Sequence, residues 1–349
     1  MNRENKILVT GGTGFLGSYI LRDLLLQDYQ NIHAIRRPNS NLELVKDFEE
    51  KIQWHVVDLD DVGDVYQSIR GSAAVIHSAG LVSFAPGDRD DLYQTNVQGT
   101  ATVVNACLEY DVGRLIHISS SSALPKLKNG QPITEKTKWL DDKNISHYGR
   151  SKRLAEIEVW RGIAEGLKAI ILNPTIILGA GIWESTSCKL FWQVYDGLKY
   201  YPPGSTGYVD VRDVSRIAVD MLEESEINQS FIISESNYSF KDIFTMIAEG
   251  LGVKPPSKKA PKWVAKGIVA GEFLRSKITG KRPIITPDSV RNAYENFNYD
   301  PGKIKKRHSF IPIPETIRET TTLFREATQN NFEPKRLDPK IDTKPKSSL

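Results

Sequence analysis

Residues 6–17, KILVTGGTGFLG, constrain the chain more than any other stretch. Ile7, Leu8, Val9 and Thr10 are apolar or β-favouring and run into glycines, which reads as a short buried strand. Beyond the glycines, Phe15, Leu16, Tyr19, Ile20, Leu24 and Leu25 recur at helical spacing. A strand, a tight turn and a helix in that order make a phosphate cradle. Unpaired N–H groups and about half a unit of positive charge gather at the helix N-terminus, and glycine lets an anion approach the backbone. Gly12, Gly14 and Gly17 fit G-x-G-x-x-G, while Gly11, Gly14 and Gly17 fit G-x-x-G-x-x-G. Either register predicts a dinucleotide held over Gly11, Thr13, Gly14, Phe15, Leu16 and Gly17. The competing reading is a glycine turn that only lets helix and strand pack closely.

Further strands are expected at 31–36, 52–57, 73–77, 114–118 and 169–172, alternating with helical stretches. The second strand ends in Arg36, with Arg37 next, where an NAD site usually places an acid on the ribose 2′-hydroxyl. Two guanidinium groups favour a 2′-phosphate, so NADP(H) is expected over NAD(H), which stays open. Ser40 is a further phosphate ligand or a helix cap. Asp58, ahead of Leu59 at the end of the third strand, could accept from an adenine amine or cap a helix, as could Asp60 and Asp61. Ser78, Ala79 and Gly80 follow the fourth strand and are small enough for backbone to lie against a nucleotide. Asn96 falls inside a helical pattern over 91–109 and reads, on composition, as a solvated amide. The fifth strand runs into four serines, 119–122, at the strand edge where open α/β sheets bind ligands. Tyr148 and Lys152 lie four apart after the cap residue Ser146 and share a helix face. In isolation that spacing is a surface pair; downstream of a dinucleotide fingerprint it becomes a catalytic candidate.

The regular alternation stops at Pro174. This divides the chain into a dinucleotide domain, 1–173 with 211–234 returning to it, a substrate domain, 174–210 with 235–329, and a frayed tail, 330–349. Trp183, Phe191, Trp192, Tyr195, Tyr200 and Tyr201 suit an apolar or ring-bearing substrate, or else the core of the second domain. Residues 263–274 come nearest to a membrane-contacting stretch, but Lys266, Glu272 and two glycines favour a helix packed on the protein or over a substrate. A net charge of +3 over 349 residues leaves no nucleic-acid footprint, and no run approaches the ~18 apolar residues of a membrane span. Cys107 and Cys188 lack ligand spacing, so neither a metal site nor a disulfide is expected, and a reduced cytoplasmic setting follows. His77 and His117, in strands, read as core residues.

Taken together, TGGTGFLG, DL at 58–59, SAG at 78–80, Asn96, ISSSSA, YGRSK and NPTIILG resemble the extended short-chain dehydrogenase/reductases over about residues 5–328. IHAIRRPNSNL, GYVDVRDVS and SFIPIPETIRETT resemble the branch holding dihydroflavonol reductases and 3β-hydroxysteroid dehydrogenases, within the NAD-dependent epimerase/dehydratase family. The resemblance implies an NAD(P)-binding Rossmann fold of the α/β class, a doubly wound parallel sheet with a smaller, mostly helical C-terminal substrate domain. It implies catalytic Ser120, Tyr148 and Lys152 with Asn96 supporting their geometry, although Ser119, Ser121 and Ser122 leave the serine open by one or two positions. It also implies cofactor contacts from Asp58, Leu59, Ser78, Ala79, Gly80, Tyr148, Lys152 and Pro174. The segment LPKLKNG departs from the small or glycine-rich run that follows the family's serine, which bears on pocket shape. Hydride transfer between NADP(H) and a carbonyl or alcohol is the implied activity. Lys152 at ~4 Å would draw the Tyr148 phenol from ~10 toward neutrality. Alternatives are a nucleotide-sugar epimerase or dehydratase retaining NAD, which Arg36 disfavours, and a non-catalytic dinucleotide sensor. A homodimer through the Asn96 and Tyr148 helices is expected, with Val103, Ile157 and Trp160 in contact.

Overall fold

The computed structural model describes residues 1–127, 130–139, 145–279 and 286–338. Seven strands, β1 (Ile7–Thr10), β2 (Ile32–Arg36), β3 (Gln53–Val56), β4 (Ala74–His77), β5 (Arg114–Ile118), β6 (Ala169–Pro174) and β7 (Gln229–Ile233), form one sheet. Their order is β7-β6-β5-β4-β1-β2-β3, and every pairing is parallel. The winding reverses between β1 and β4, and the register Thr10↔His77 fixes the two strand ends at that switch point. A ligand crevice opens at the C-terminal strand edge of such a point. The edge is made here by Thr10, Arg36, His77, Ile118 and Pro174, the last residues of their strands.

Side chains alternate across the sheet, so each strand feeds two cores. Ile7 and Val9 join one, with Tyr19, Ile20 and Leu24 of α1 (Phe15–Leu26). Leu8 joins the other, whose members include Val65 of α2 (Val62–Ile69), Val103 and Val104 of α3 (Gly99–Glu109), and Val159 of α4 (His147–Ala164). Val103 is thus fully buried within the chain and offers nothing to a second copy, contrary to the expected pairing face. Ile157 remains exposed. The helix expected over 91–109 begins as a short turn at Arg89–Leu92, widens into a π-helical turn at Tyr93–Gln98, and only then becomes α3. π turns of this kind often mark functional sites, and Asn96 lies within this one.

After Pro174 the chain builds a three-stranded sheet from Ile176–Leu178, Ser205–Asp210 and Ser236–Ser239. Helix α5 (Val211–Asp220) returns to pack on α1. Then come α6 (Phe240–Leu251), α7 (Lys262–Thr279), α8 (Pro287–Tyr294) and α9 (Ile313–Gln329), with a short turn at Gly302–Lys305. Helix α9 lies on α6 so closely that a Cβ on Gly250 would come 2.4 Å from Thr321 Oγ1.

Much of the aromatic run is core. Trp183 and Phe191 are buried, Trp183 stacks edge-on to Phe324 at 4.9 Å, and Trp192 meets Phe332 at 4.5 Å. Residues 330–338 depart from the frayed tail expected there. Leu337 is buried, its N–H donates to Tyr19 Oη at 2.7 Å, and its carbonyl accepts from Arg22 at 2.7 Å. The Trp183 indole donates to the Glu333 carbonyl at 3.1 Å. Two apolar residues, Phe332 and Leu337, tie this otherwise polar segment to the core that holds α1. The rest of the expected tail, 339–349, lies outside the described residues.

Candidate active site

At the cradle, glycine is a steric necessity. Gly11 has φ +70°, and a Cβ there would sit 2.7 Å from the Ala79 nitrogen. A Cβ on Gly17 would come 2.0 Å from the Gly11 carbonyl oxygen. Gly12 is hemmed by Leu21 and Ala34 side chains, so both glycine registers have a physical basis. Gly14, the N-cap of α1, supplies no side-chain cap, and the first turn carries no acid, which suits an anion at that helix end. Leu16 is buried and Phe15 turns edge-on to Tyr19, so these two offer backbone to the cradle beside half-buried Thr13.

At the end of β2, Arg36 Nε is buried without a hydrogen-bond partner, and neither Arg36 nor Arg37 forms an ion pair among the described residues. Such a guanidinium fits a phosphate oxygen. Ser40 closes a turn on Arg37, its Oγ accepting from the Arg37 N–H at 3.0 Å, and caps no helix. Asp61 takes the cap of α2, accepting from the Asp64 N–H at 3.2 Å, which leaves Asp58 exposed beside buried Leu59. Ser78 and Ala79 lie on Thr10, the Ala79 N–H donating to Thr10 Oγ1 at 3.1 Å.

The catalytic candidates meet at the far side of the switch point. Ser146 caps α4 through the Gly149 N–H at 3.0 Å, and a Cβ on Gly149 would strike the Ser122 carbonyl at 2.6 Å, so the helix start is pressed onto the serine loop. The four serines separate by partner. Ser119 Oγ donates to Glu156 at 2.6 Å, Ser120 hydrogen-bonds the Tyr148 phenol, and Ser121 hydrogen-bonds Tyr299. Ser120 Oγ also accepts from the Ser122 N–H at 3.1 Å. The residue beside Tyr148 is Ser120.

Burial pushes the Tyr148 phenol up, with the Ser120 hydrogen bond opposing it. This reverses the expected lowering: desolvation of a phenolate outweighs the neighbouring polar groups, and the phenol keeps its proton at neutral pH. Burial pulls Lys152 down to about 8, against the opposing pull of the Glu156 carboxylate one turn further along α4. Lys152 Nζ donates to the Ile118 carbonyl at 2.8 Å. Burial raises Glu156 in turn, and the carboxylate accepts from Ser119, Asn173 and Arg153.

Asn96 is a clamp and not the solvated amide that composition suggests. Its Oδ1 accepts from the Leu81 N–H at 2.7 Å, and its Nδ2 donates to the Leu81 carbonyl at 3.0 Å and to Ser151 Oγ at 2.9 Å. It ties the loop after β4 to α4. Gly80 lies against both: a Cβ there would come 3.2 Å from Asn96 Oδ1 and 3.3 Å from Lys152 Nζ.

Beneath runs a chain of hydrogen bonds whose directions are forced. Thr100 gives its proton to the Asn96 carbonyl at 2.6 Å, so at 3.0 Å it must accept from His77 Nε2–H. A neutral His77 then has a bare Nδ1, which accepts from Thr10 Oγ1 at 2.7 Å, while Thr10 Oγ1 itself accepts from the Ala79 N–H at 3.1 Å. Burial and the Lys152 cation hold His77 down to about 3, so it is a neutral strut. His117, 5.3 Å away between ring centroids, is likewise buried and neutral.

Glu156, Thr100, Ser151 and Asn173 complete the site from positions that no motif spacing marks, except that Glu156, four residues after Lys152, must share that helix face. The aromatic ring against Tyr148 also comes from an unforeseen place. Phe84 stands edge-on to it at 5.5 Å, in the loop after β4.

A glycine cradle at a switch point, facing a Ser-Tyr-Lys group on the same sheet edge, defines an NAD(P)-dependent α/β enzyme. The model of the NAD dependent epimerase/dehydratase family matches residues 7–234, and the chain belongs to that family. A Synechocystis sp. protein described as a dihydroflavonol 4-reductase is 28% identical over 303 residues, covering 84% of this chain and 87% of that protein. The 3beta-hydroxysteroid-dehydrogenase/decarboxylase isoform 1 of Arabidopsis thaliana is 25% identical over 358 residues, covering 92% of this chain and 80% of its own. The crystal structure of gox2253 superposes with a TM-score of 0.78 at 26% identity, covering 93% of this chain and 98% of that one. The resemblance to the extended short-chain dehydrogenase/reductases therefore stands, and the protein is an enzyme of the NAD(P)-dependent type.

Proposed function

We propose that the protein transfers hydride between NADP(H) and a small carbonyl or alcohol compound, with Tyr148 as the proton donor in reduction. The observation that carries this reading is the buried Tyr148 phenol beside Ser120, where burial favours the protonated form. When bound, the nicotinamide supplies the hydride. The glycine turn and the α1 N-terminus hold the pyrophosphate, Arg36 and Arg37 the 2′-phosphate, and Lys152 the nicotinamide ribose, with Asp58, Leu59, Ser78, Ala79, Gly80 and Pro174 walling the cofactor's length. Ser120 and Tyr148 converge on the oxygen where charge develops, and Tyr148 gives up its proton there. Asn96 keeps the β4 loop and α4 in register. General acid catalysis of this kind contributes about 10²- to 10⁴-fold.

The substrate is apolar or ring-bearing. Phe84 beside Tyr148 and the exposed Val82 in the same loop support this, as do relatives named for a dihydroflavonol 4-reductase and a 3beta-hydroxysteroid dehydrogenase. The test is NADPH oxidation by purified protein against a panel of aryl ketones, steroid ketones, aldehydes and nucleotide sugars. Turnover of a ring-bearing ketone or aldehyde is expected. Conversion of nucleotide sugars alone, with NAD retained through purification, would replace this reading by epimerisation or dehydration.

A further inference from the structure

Among the described residues, the two most exposed large apolar side chains both lie on helix α7. Trp263 is 75% exposed and Phe273 61%, against 5% for Ala265 on the opposite side of the helix. At 3.6 residues per turn, Trp263, Lys266, Ala270, Phe273 and Lys277 fall within an arc of roughly 80°. All five are exposed. Lys277 lies over the Phe273 ring, 5.3 Å from its centroid, so cation and aromatic share one patch.

The charge is equally lopsided. Residues 254–279 carry six lysines, all exposed, and Arg275, against a single acid, Glu272, which pairs with Arg275 at 2.9 Å. The whole chain has a net charge of only +3, so this stretch holds a local excess of positive charge that the rest of the protein offsets. A second copy laid on the same face would set these lysines against their own kind. A surface that is anionic outside and apolar just beneath would satisfy both halves of the patch.

We propose that α7 docks the protein on an anionic phospholipid surface, lying in its plane. Trp263 and Phe273 sit below the headgroups while Lys262, Lys266 and Lys277 reach the phosphates along their aliphatic stems. Among the described residues no helix is long and apolar enough to cross a membrane, and α7 has the make-up of a helix that lies on one. The proposal does not depend on which carbonyl compound the site reduces.

The test is flotation of the full chain with vesicles of equal parts phosphatidylglycerol and phosphatidylcholine, against vesicles of phosphatidylcholine alone. Binding to the anionic vesicles should be at least about tenfold stronger and should weaken as salt is raised. The Trp263→Ser/Phe273→Ser variant should lose about tenfold in binding, and Lys262→Glu/Lys266→Glu should lose the preference for anionic lipid. Unchanged melting and unchanged NADPH binding would show both variants folded. Wild-type protein that stays off both vesicles, or folded variants that bind as wild type does, would overturn the proposal. So would a dimer that the apolar variant dissociates without any vesicle binding, or binding to duplex DNA with vesicles untouched.

Discussion

Asp210, the last residue of the Ser205–Asp210 strand, and Lys152, on α4, are both buried, yet their surroundings differ in kind. Asp210 accepts from the Arg212 N–H at 2.7 Å, from Arg212 Nε at 3.0 Å and Nη2 at 2.6 Å, and from Thr316 Oγ1 at 2.7 Å. Arg212 spends its remaining fork on Glu319 at 2.7 Å and the Asp338 carbonyl at 3.1 Å. That network closes on itself and joins α5, α9 and the segment that follows α9. Lys152 has three donors and gives one to the Ile118 carbonyl. Tyr148 and Ser120 lie together at the same edge. A saturated cluster holds elements together; one with donors to spare, fixed in place by Asn96 and Glu156, can meet a substrate or a ribose. The difference lies in valence left over, and burial alone does not reveal it.

The sharpest way to break this contrast is Tyr148→Phe. Losing one oxygen from the open cluster should cut turnover about 10²- to 10⁴-fold, or ~3–5 kcal/mol of barrier, while NADPH binding stays nearly intact. Lys152→Ala should weaken cofactor binding as well. Steady-state rates beside a cofactor titration separate the two, and full activity in the phenylalanine variant would dismiss the proposed proton donor.

Asp210→Ala should do the opposite. Stripping the buried carboxylate leaves Arg212 with only the more exposed Glu319 carboxylate and deprives Thr316 Oγ1 of its acceptor, and breaking a buried pair in this way costs up to ~3–5 kcal/mol of stability. A fall in the melting temperature, with near-normal rates wherever the variant is folded, is the expected result. An unchanged melting curve would mean the closed network contributes little.

Arg36→Asp probes the adenosine end. Replacing an unpaired guanidinium by an acid should reverse the preference for NADPH over NADH, on the order of 10- to 100-fold in the ratio of binding constants. If the wild type already binds NADH better, the 2′-phosphate assignment falls.

How much of this was legible in the sequence follows from where each constraint lives. The cradle was readable because Gly17 answers a clash with the Gly11 carbonyl six residues back and Gly11 takes a positive φ in the turn itself, and such local demands leave glycine at fixed spacing. The alternation of strands and helices was readable because buried parallel strands are short apolar runs, and Tyr148 with Lys152 because one helix turn sets them together. The serine was not settled, since four identical side chains differ only in direction. That direction is set by an extended Ser120, φ −162° and ψ 150°, entering a 3-10 turn, and by partners as remote as Glu156 and Tyr299. Asn96 looked ordinary because its clamp depends on a π turn and on Leu81 and Ser151, neither near it in helical register. The sign of the phenol's shift is not legible in the sequence, because spacing shows the neighbouring lysine whereas desolvation belongs to the whole fold.

The smallest effect bears on Glu156, which belongs to both descriptions: its hydrogen bonds are filled by Ser119, Asn173 and Arg153, yet its charge acts on Lys152. Lys152 ionises at about 8, lowered by burial and held up in part by the Glu156 carboxylate. Its cation is present below that pH and lost above it, so NADPH affinity should decline as pH rises through about 8. Glu156→Gln keeps the shape and can still accept from Ser119, but removes the anion that favours the charged lysine. The decline should therefore move to lower pH, with less than about a tenfold change in affinity at pH 6, where Lys152 stays protonated. Cofactor titrations across pH 6 to 9 read this directly. A purely structural glutamate would weaken binding equally at every pH and leave the break where it was, and that outcome would move Glu156 into the company of Asp210.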